Sequence, residues 1–214
     1  MNYHNTYESL PAGTVRNRSL APEQRLSWLV ELMPFLEAKT SVDRLKLSDA
    51  WDSDNNFPYL IGPVKRFLCP ADPDRGGKQS PGLTHYVGVA GIGEDAAFLP
   101  LDSPNAGAFG YDRRVSFKDF DRGLSGCMLV SEIGSHHGPW AAGGRATVRG
   151  LNPGGRAYLS RDGQFGSWHR PPAPNVLFAD GSVRSLSIYT PPAVFEAMAT
   201  IHANPQEASG VDIP

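Results

Sequence analysis

The chain has 214 residues, 40% of them hydrophobic and 20% charged, with a formal net charge of −2. That is enough chain for one sizeable core, and the balance supplies no basic excess to hold nucleic acid or anionic lipid. With 23 glycines and 19 prolines the chain must turn often, which excludes an all-helical bundle. No apolar run reaches the ~18 residues of a membrane span, and no signal peptide is expected ahead of the first motif.

From Pro22, "PEQRLSWLVELMPFLEA" places Leu26, Leu29, Val30, Met33 and Leu36 at helical spacing, with Pro22 in the first turn. Pro34 should kink or divide that helix. "AWDSDNN" sets Asp52, Asp54 and Asn56 at alternate positions, as a calcium loop would. It lacks the glycine and the distal glutamate of an EF-hand, so a turn built on Asx hydrogen bonds is favoured over a loop calcium. "VKRFLCP" reads as a short strand stopped by Pro70, and "THYVGVAG" (84–91) as another strand.

Cys127, Met128, Leu129 and Val130 form a continuous apolar run, so Cys127 to Glu132 is expected to be an inner strand covered on both faces. It leads into "SEIGSHHGPW", where Glu132, His136 and His137 sit too close to glycine and proline for a helical ligand face, so a polar loop is expected. Cys69 and Cys127 lack C-x-x-C spacing, which argues against a zinc site built on thiolates; one disulfide or two isolated buried thiols both fit. Trp140 and Trp168, with Arg145 and Arg170, are candidates for a stacking platform for a sugar or peptide, against the plainer role of lining a core edge. The stretch 134–166 reads as long loops with short strands. No phosphate-binding glycine motif or nucleophile elbow occurs.

Near the end, "NVLFADGSVRSLSI" reads as two strands, 175–179 and 182–188, around a type I′ turn at Asp180-Gly181. Phe178 and Val183 should then share a side, with a bulge near Arg184-Ser185 to restore the apolar phase. His169 is expected to brace the entry to this hairpin rather than act as acid, base or ligand. In "TPPAVFEAMATIHANP", Thr190 should cap a helix with Pro191 first and Val194, Ala197, Met198 and Ile201 on one face, ending at Asn204-Pro205.

Several blocks occur in an order that resembles the planctomycete DUF1559 family, also catalogued as substrate-binding-protein-like. They are "NYHNTYESLPAG", "RLSWLVELMPFLEA", "AWDSDNN", "FLCPADP", "THYVGVAG", "VSFKDFDRGLSGCMLVSE" and "NVLFADGSVRSLS". Family members typically begin with a prepilin leader and a hydrophobic helix and carry an H-x9-D-G motif. Here His169, Asp180 and Gly181 give H-x10-D-G, and Gly126-Cys127 stands where Asn-Thr is usual. Leader and helix do not occur in these residues, so membrane contact is expected only through such a helix.

The resemblance implies a single α+β domain over residues 1–214, a pilin- or pseudopilin-like head with an antiparallel sheet packed on helices and long Gly/Pro-rich loops. It implies an extracytoplasmic, non-enzymatic surface or secretion-associated protein without a cofactor, which packs on copies of itself or on other pilin-like components. A binding module for a glycan, peptide or small solute is the alternative, and a hydrolase using Asp180 with His169 the least supported reading. Because the family does not normally carry cysteine at position 127, Cys69 and Cys127 are expected to stay unbonded.

Overall fold

A computed structural model describes residues 2–36 and 42–203. Among the described residues seven strands form, in chain order, β1 (Leu83–Thr84), β2 (Tyr86–Ile92), β3 (Met128–Glu132), β4 (Gly138–Pro139), β5 (Val148–Leu151), β6 (Asn175–Phe178) and β7 (Val183–Ser185). The helices whose bounds lie within the described residues are α1 (Asn2–Tyr7), α2 (Trp28–Leu32) and α3 (Pro192–Ala199), with several short 3₁₀ turns between them. The fold is α+β, with a main sheet in the order β5-β2-β3-β6-β7 and a two-stranded ribbon β1-β4. Among the described residues, no helix is long and apolar enough to cross a membrane.

The apolar run starting at Cys127 becomes β3, the central strand, flanked by β2 and β6. Two apolar layers cover its faces. Val87, Val89, Met128, Val176 and Phe178 pack with Phe195 and Met198 of α3. Ala90, Leu129 and Ala179 pack with Trp28, Leu29 and Val30 of α2. A register shift between Met128 and Val130 lets Leu129 and Val130 both turn toward the α2 layer.

The sheet is not wholly antiparallel as expected. β5 runs parallel to β2, with Gly88 opposite Val148 and Ile92 opposite Leu151. The long connection from Gly93 to Thr147 contains β3 and returns past the ribbon, so the fifth strand joins from the far edge. No crossover helix is involved.

Three helical expectations change in detail. The periodic stretch from Pro22 splits, because Leu26 and Ser27 make extended bridges to Ala142 and Thr14. The α-helix begins only at Trp28, capped by the Ser27 hydroxyl accepting from Leu29 N–H, and at Met33 it tightens into a 3₁₀ turn that contains Pro34. "VKRF" forms a 3₁₀ turn (Lys65–Phe67) rather than a strand. Thr190 does not cap α3: its hydroxyl donates to the Ser187 carbonyl, and Pro191 occupies the cap position. Fully buried Phe195 anchors that helix, Ile201 is buried beyond its end, and the expected stop at Asn204-Pro205 lies outside the described residues.

The hairpin corrects two further expectations. Leu177 pairs with Val183 and Asn175 with Ser185, in register throughout, so no bulge lies at Arg184-Ser185. Val183 faces solvent while Phe178 is buried. Gly181 N–H donates to Phe178 O and Phe178 N–H to Ser182 O. Only Gly181 has positive φ (86°); Asp180 does not. The turn is therefore centred on Ala179-Asp180 with Gly181 in the left-handed position after it, not a type I′ turn.

Asp180 Oδ1 accepts from Ser182 N–H at 2.8 Å and from its hydroxyl at 2.7 Å, and these bonds hold its carboxyl below the usual range. Asn keeps that acceptor, and the exposed Arg184 pair it loses is worth little. Asp180→Asn should therefore unfold at nearly the parent's midpoint, whereas Gly181→Val should cost roughly 1–3 kcal/mol of backbone strain. Urea unfolding of both variants checks this, and equal midpoints would contradict it.

Candidate functional site

The most concentrated chemistry lies behind the ribbon, where three separate chain segments meet. The turn after Phe67 brings in Cys69, held at its base by Asp72 N–H donating to Cys69 O at 3.2 Å. β3 ends with the Glu132 side chain pointing inward, nearly unexposed at 2%. The loop before β6 supplies His169, fixed at its neighbour by Trp168 Nε1 donating to Gly134 O at 2.8 Å.

His169 Nε2 lies 3.3 Å from Cys69 Sγ and 3.2 Å from Glu132 Oε1. The other Glu132 oxygen accepts Asn175 N–H at 2.7 Å, which fixes the carboxylate where β6 begins. Burial pushes the Cys69 thiol up; the amides of Ala71 and Asp72 act the other way, and Glu132 adds to the rise. Sulfur, nitrogen and oxygen donors thus converge on one point, with His169 on the solvent side at 35% side-chain exposure.

A cysteine, a histidine and an acid invite comparison with a nucleophilic relay. In such a relay one imidazole nitrogen faces the thiol and the other faces the acid. Here the same nitrogen faces both, so the acid cannot orient the ring for the thiol. The geometry is that of shared convergence rather than proton relay.

A second cluster stands directly behind the first. His85 accepts Cys69 N–H at Nδ1 (3.0 Å) and stacks on His137 with ring centres 4.2 Å apart. His137 Nε2 is 3.1 Å from Asp72 Oδ2, and its Nδ1 is 3.2 Å from Asp74 Oδ2. Burial, then the neighbouring His137, pull His85 below its ordinary value, partly offset by Asp72. A neutral His85 accepting from the Cys69 backbone stiffens the turn that carries the thiol.

A cleft of about 530 Å³ opens beside these clusters, lined by His136, Arg145, Arg149, Arg156 and Gln164 among others. His136 takes a left-handed backbone (φ 56°), and its Nε2 is 2.7 Å from Arg156 Nη1. Arg149 donates to the His136 carbonyl; burial, then Arg145, draw it down to about 10, which leaves it charged at neutral pH. Arg145 is paired with Glu94 at the rim.

The other sequence candidates are dispersed. Trp140 is 2% exposed in the core against Phe67, so it lines no platform. Trp168 is half-buried with Arg161, not Arg170, over its ring at 4.4 Å, and Arg170 is exposed. Asn56 is fully buried and staples its loop, accepting Lys46 N–H and donating to the carbonyls of Lys46 and Ala50. Asp52 and Asp54 are exposed, so the three do not form one calcium cage.

Glu132, His136 and His137 part company into the first cluster, the cleft and the second cluster. His169 and Asp180 flank opposite ends of β6 and have separate partners. Cys69 and Cys127 form no disulfide with each other. Sequence reasoning missed the roles of Cys69, Asp72 and His85; their only signal was membership in the blocks "FLCPADP" and "THYVGVAG".

A loop-rich α+β fold carrying a convergent set of polar donors is the class this structure defines. The chain belongs to the DUF1559 family of proteins of unknown function, whose profile matches residues 1–150. No curated protein and no solved structure matches it.

Proposed function

We propose that the chain is the head of a pilin-like, extracytoplasmic, non-enzymatic protein of the cell surface or a secretion apparatus. It works by packing against copies of itself or other pilin-like components. The observation that carries this reading is that, among the described residues, β7 has a strand partner on one side only. All three residues of β7 are exposed, Val183 at 64%, and Tyr189 beyond it is 86% exposed. An unpaired edge with apolar side chains offers main-chain hydrogen bonds to a partner strand. Its short length and Arg184 discourage indiscriminate pairing.

The single-nitrogen geometry at His169 supports the non-enzymatic part of the reading. Fusing the complete gene to alkaline phosphatase, and separately to β-galactosidase, tests its location. Active phosphatase with silent β-galactosidase is expected; the reverse pattern rejects the reading.

The cleft favours a second reading, a binding module for a small anionic solute or acidic glycan. Its walls present Arg145, Arg149 and Arg156, and planar guanidinium groups suit carboxylate or phosphate.

A further inference from the structure

We propose that Cys69, Glu132 and His169 bind a divalent zinc-class ion that ties together the three segments carrying them. The argument is independent of the assembly reading and rests on the geometry of the donors.

A tetrahedral zinc ion sits about 2.3 Å from sulfur and about 2.0–2.1 Å from nitrogen and oxygen, which sets ligand–ligand edges of about 3.5 Å for S to N and about 3.3 Å for N to O. The observed separations are 3.3 Å from Cys69 Sγ to His169 Nε2 and 3.2 Å from that nitrogen to Glu132 Oε1. All three donor atoms lie within 4.8 Å of one another. Without an ion the ring N–H of His169 and the thiol S–H of Cys69 can both donate to Glu132, which keeps the three donor atoms gathered; a metal would replace those two protons at the same point.

The surroundings are those of a supported site. Glu132 is fixed through its second oxygen by Asn175 N–H, and the Cys69 backbone by His85. Outer hydrogen bonds of this kind orient metal ligands. One soft sulfur, one imidazole and one carboxylate suit zinc better than calcium or magnesium, which take oxygen ligands. His169, the exposed member, leaves a fourth position on the solvent side for water or a partner's side chain.

The neighbouring Asp72–His85–His137 group is the weaker site. His85 Nδ1 is occupied by Cys69 N–H, both His137 nitrogens face carboxylates, and the two rings stack rather than converge. Its part is to position the Cys69 turn.

The test is to strip the purified protein with chelator and titrate it with zinc and with cobalt(II). One equivalent should bind, and the cobalt form should show a thiolate-to-metal charge-transfer band together with the visible bands of four-coordinate cobalt. His169→Gln and Cys69→Ser should each weaken binding by at least about a hundredfold, beyond the loss of an outer partner, and Cys69→Ser should abolish the charge-transfer band. His137→Gln should retain both. Circular dichroism confirms that each variant folds, and the wild-type cobalt spectrum stands without any variant. No stoichiometric binding, a wild-type cobalt spectrum without the thiolate band, or binding lost with His137→Gln but kept in Cys69→Ser would overturn the proposal.

Discussion

Arg113→Met should cost about 3–5 kcal/mol of stability, which for a chain of this size is a fall in Tm of roughly 6–20 °C. Arg113 is 8% exposed, and its guanidinium donates to the carbonyls of Ala90 (3.2 Å), Gly107 (2.9 Å), Phe109 (2.7 Å) and Leu99. These carbonyls belong to β2 and to the irregular segment that crosses it. Burial draws the guanidinium down to about 10, still charged at neutral pH, so the carbonyl dipoles carry its solvation.

Methionine fills the space but leaves the carbonyls of Gly107, Phe109 and Leu99 to find water or stay unpaired, while Ala90 O keeps only Gly107 N–H. Lysine keeps the charge without the planar fork and should fall in between. Urea or thermal unfolding of the three proteins decides it. A loss below ~1 kcal/mol for methionine would mean that water replaces the arginine freely.

Gly91→Ala should be equally damaging, for a different reason. Gly91 has φ of 113°, and a Cβ there would stand 2.0 Å from the Asn105 carbonyl oxygen and 2.6 Å from Gly107 N. Both contacts are backbone, and both groups are already hydrogen-bonded: Asn105 O accepts Ile92 N–H, and Gly107 N–H donates to Ala90 O. No side chain can swing aside. The strand and the crossing segment must separate, adding overpacking to strain for about 3–5 kcal/mol or failure to accumulate as soluble protein. Gly126→Ala is the matched control, since no atom lies within 4 Å of its Cβ. Similar midpoints for the two variants would contradict this account.

Neither Arg113 nor Gly91 stood out in the sequence, and the reason is physical. Both act on backbone carbonyls of segments far away in the chain, and backbone groups leave no residue-type signature. What was legible was local pattern: the continuous apolar run that became β3, the apolar stretch that became β6, and the Asp-Gly pair that marked the hairpin. Even there the turn type was wrong. Whether Asp180 or Gly181 alone takes positive φ depends on the pairing of Leu177 with Val183, which is a tertiary fact.

The parallel docking of β5 was hidden for a similar reason, because a four-residue strand inside a glycine-rich stretch has too little periodicity to read. The candidate site was illegible as a site. Cys69, Glu132 and His169 are spread over a hundred positions and meet only through the sheet order. Each lay in a stretch read for another purpose. Trp140, conversely, follows the plainer of its two readings and belongs to the core, where it packs against Phe67.

The central functional claim is that the open β7 edge docks a pilin-like partner. It is tested most directly by placing a photo-crosslinking amino acid at Val183 of the complete gene product in its own cells, with Lys118 on a separate 3₁₀ turn as the control position. Crosslinks at 183, and not at 118, to a second copy or to another pilin-like protein identified by mass spectrometry are the predicted result. Equal or absent crosslinking at the two positions would contradict it.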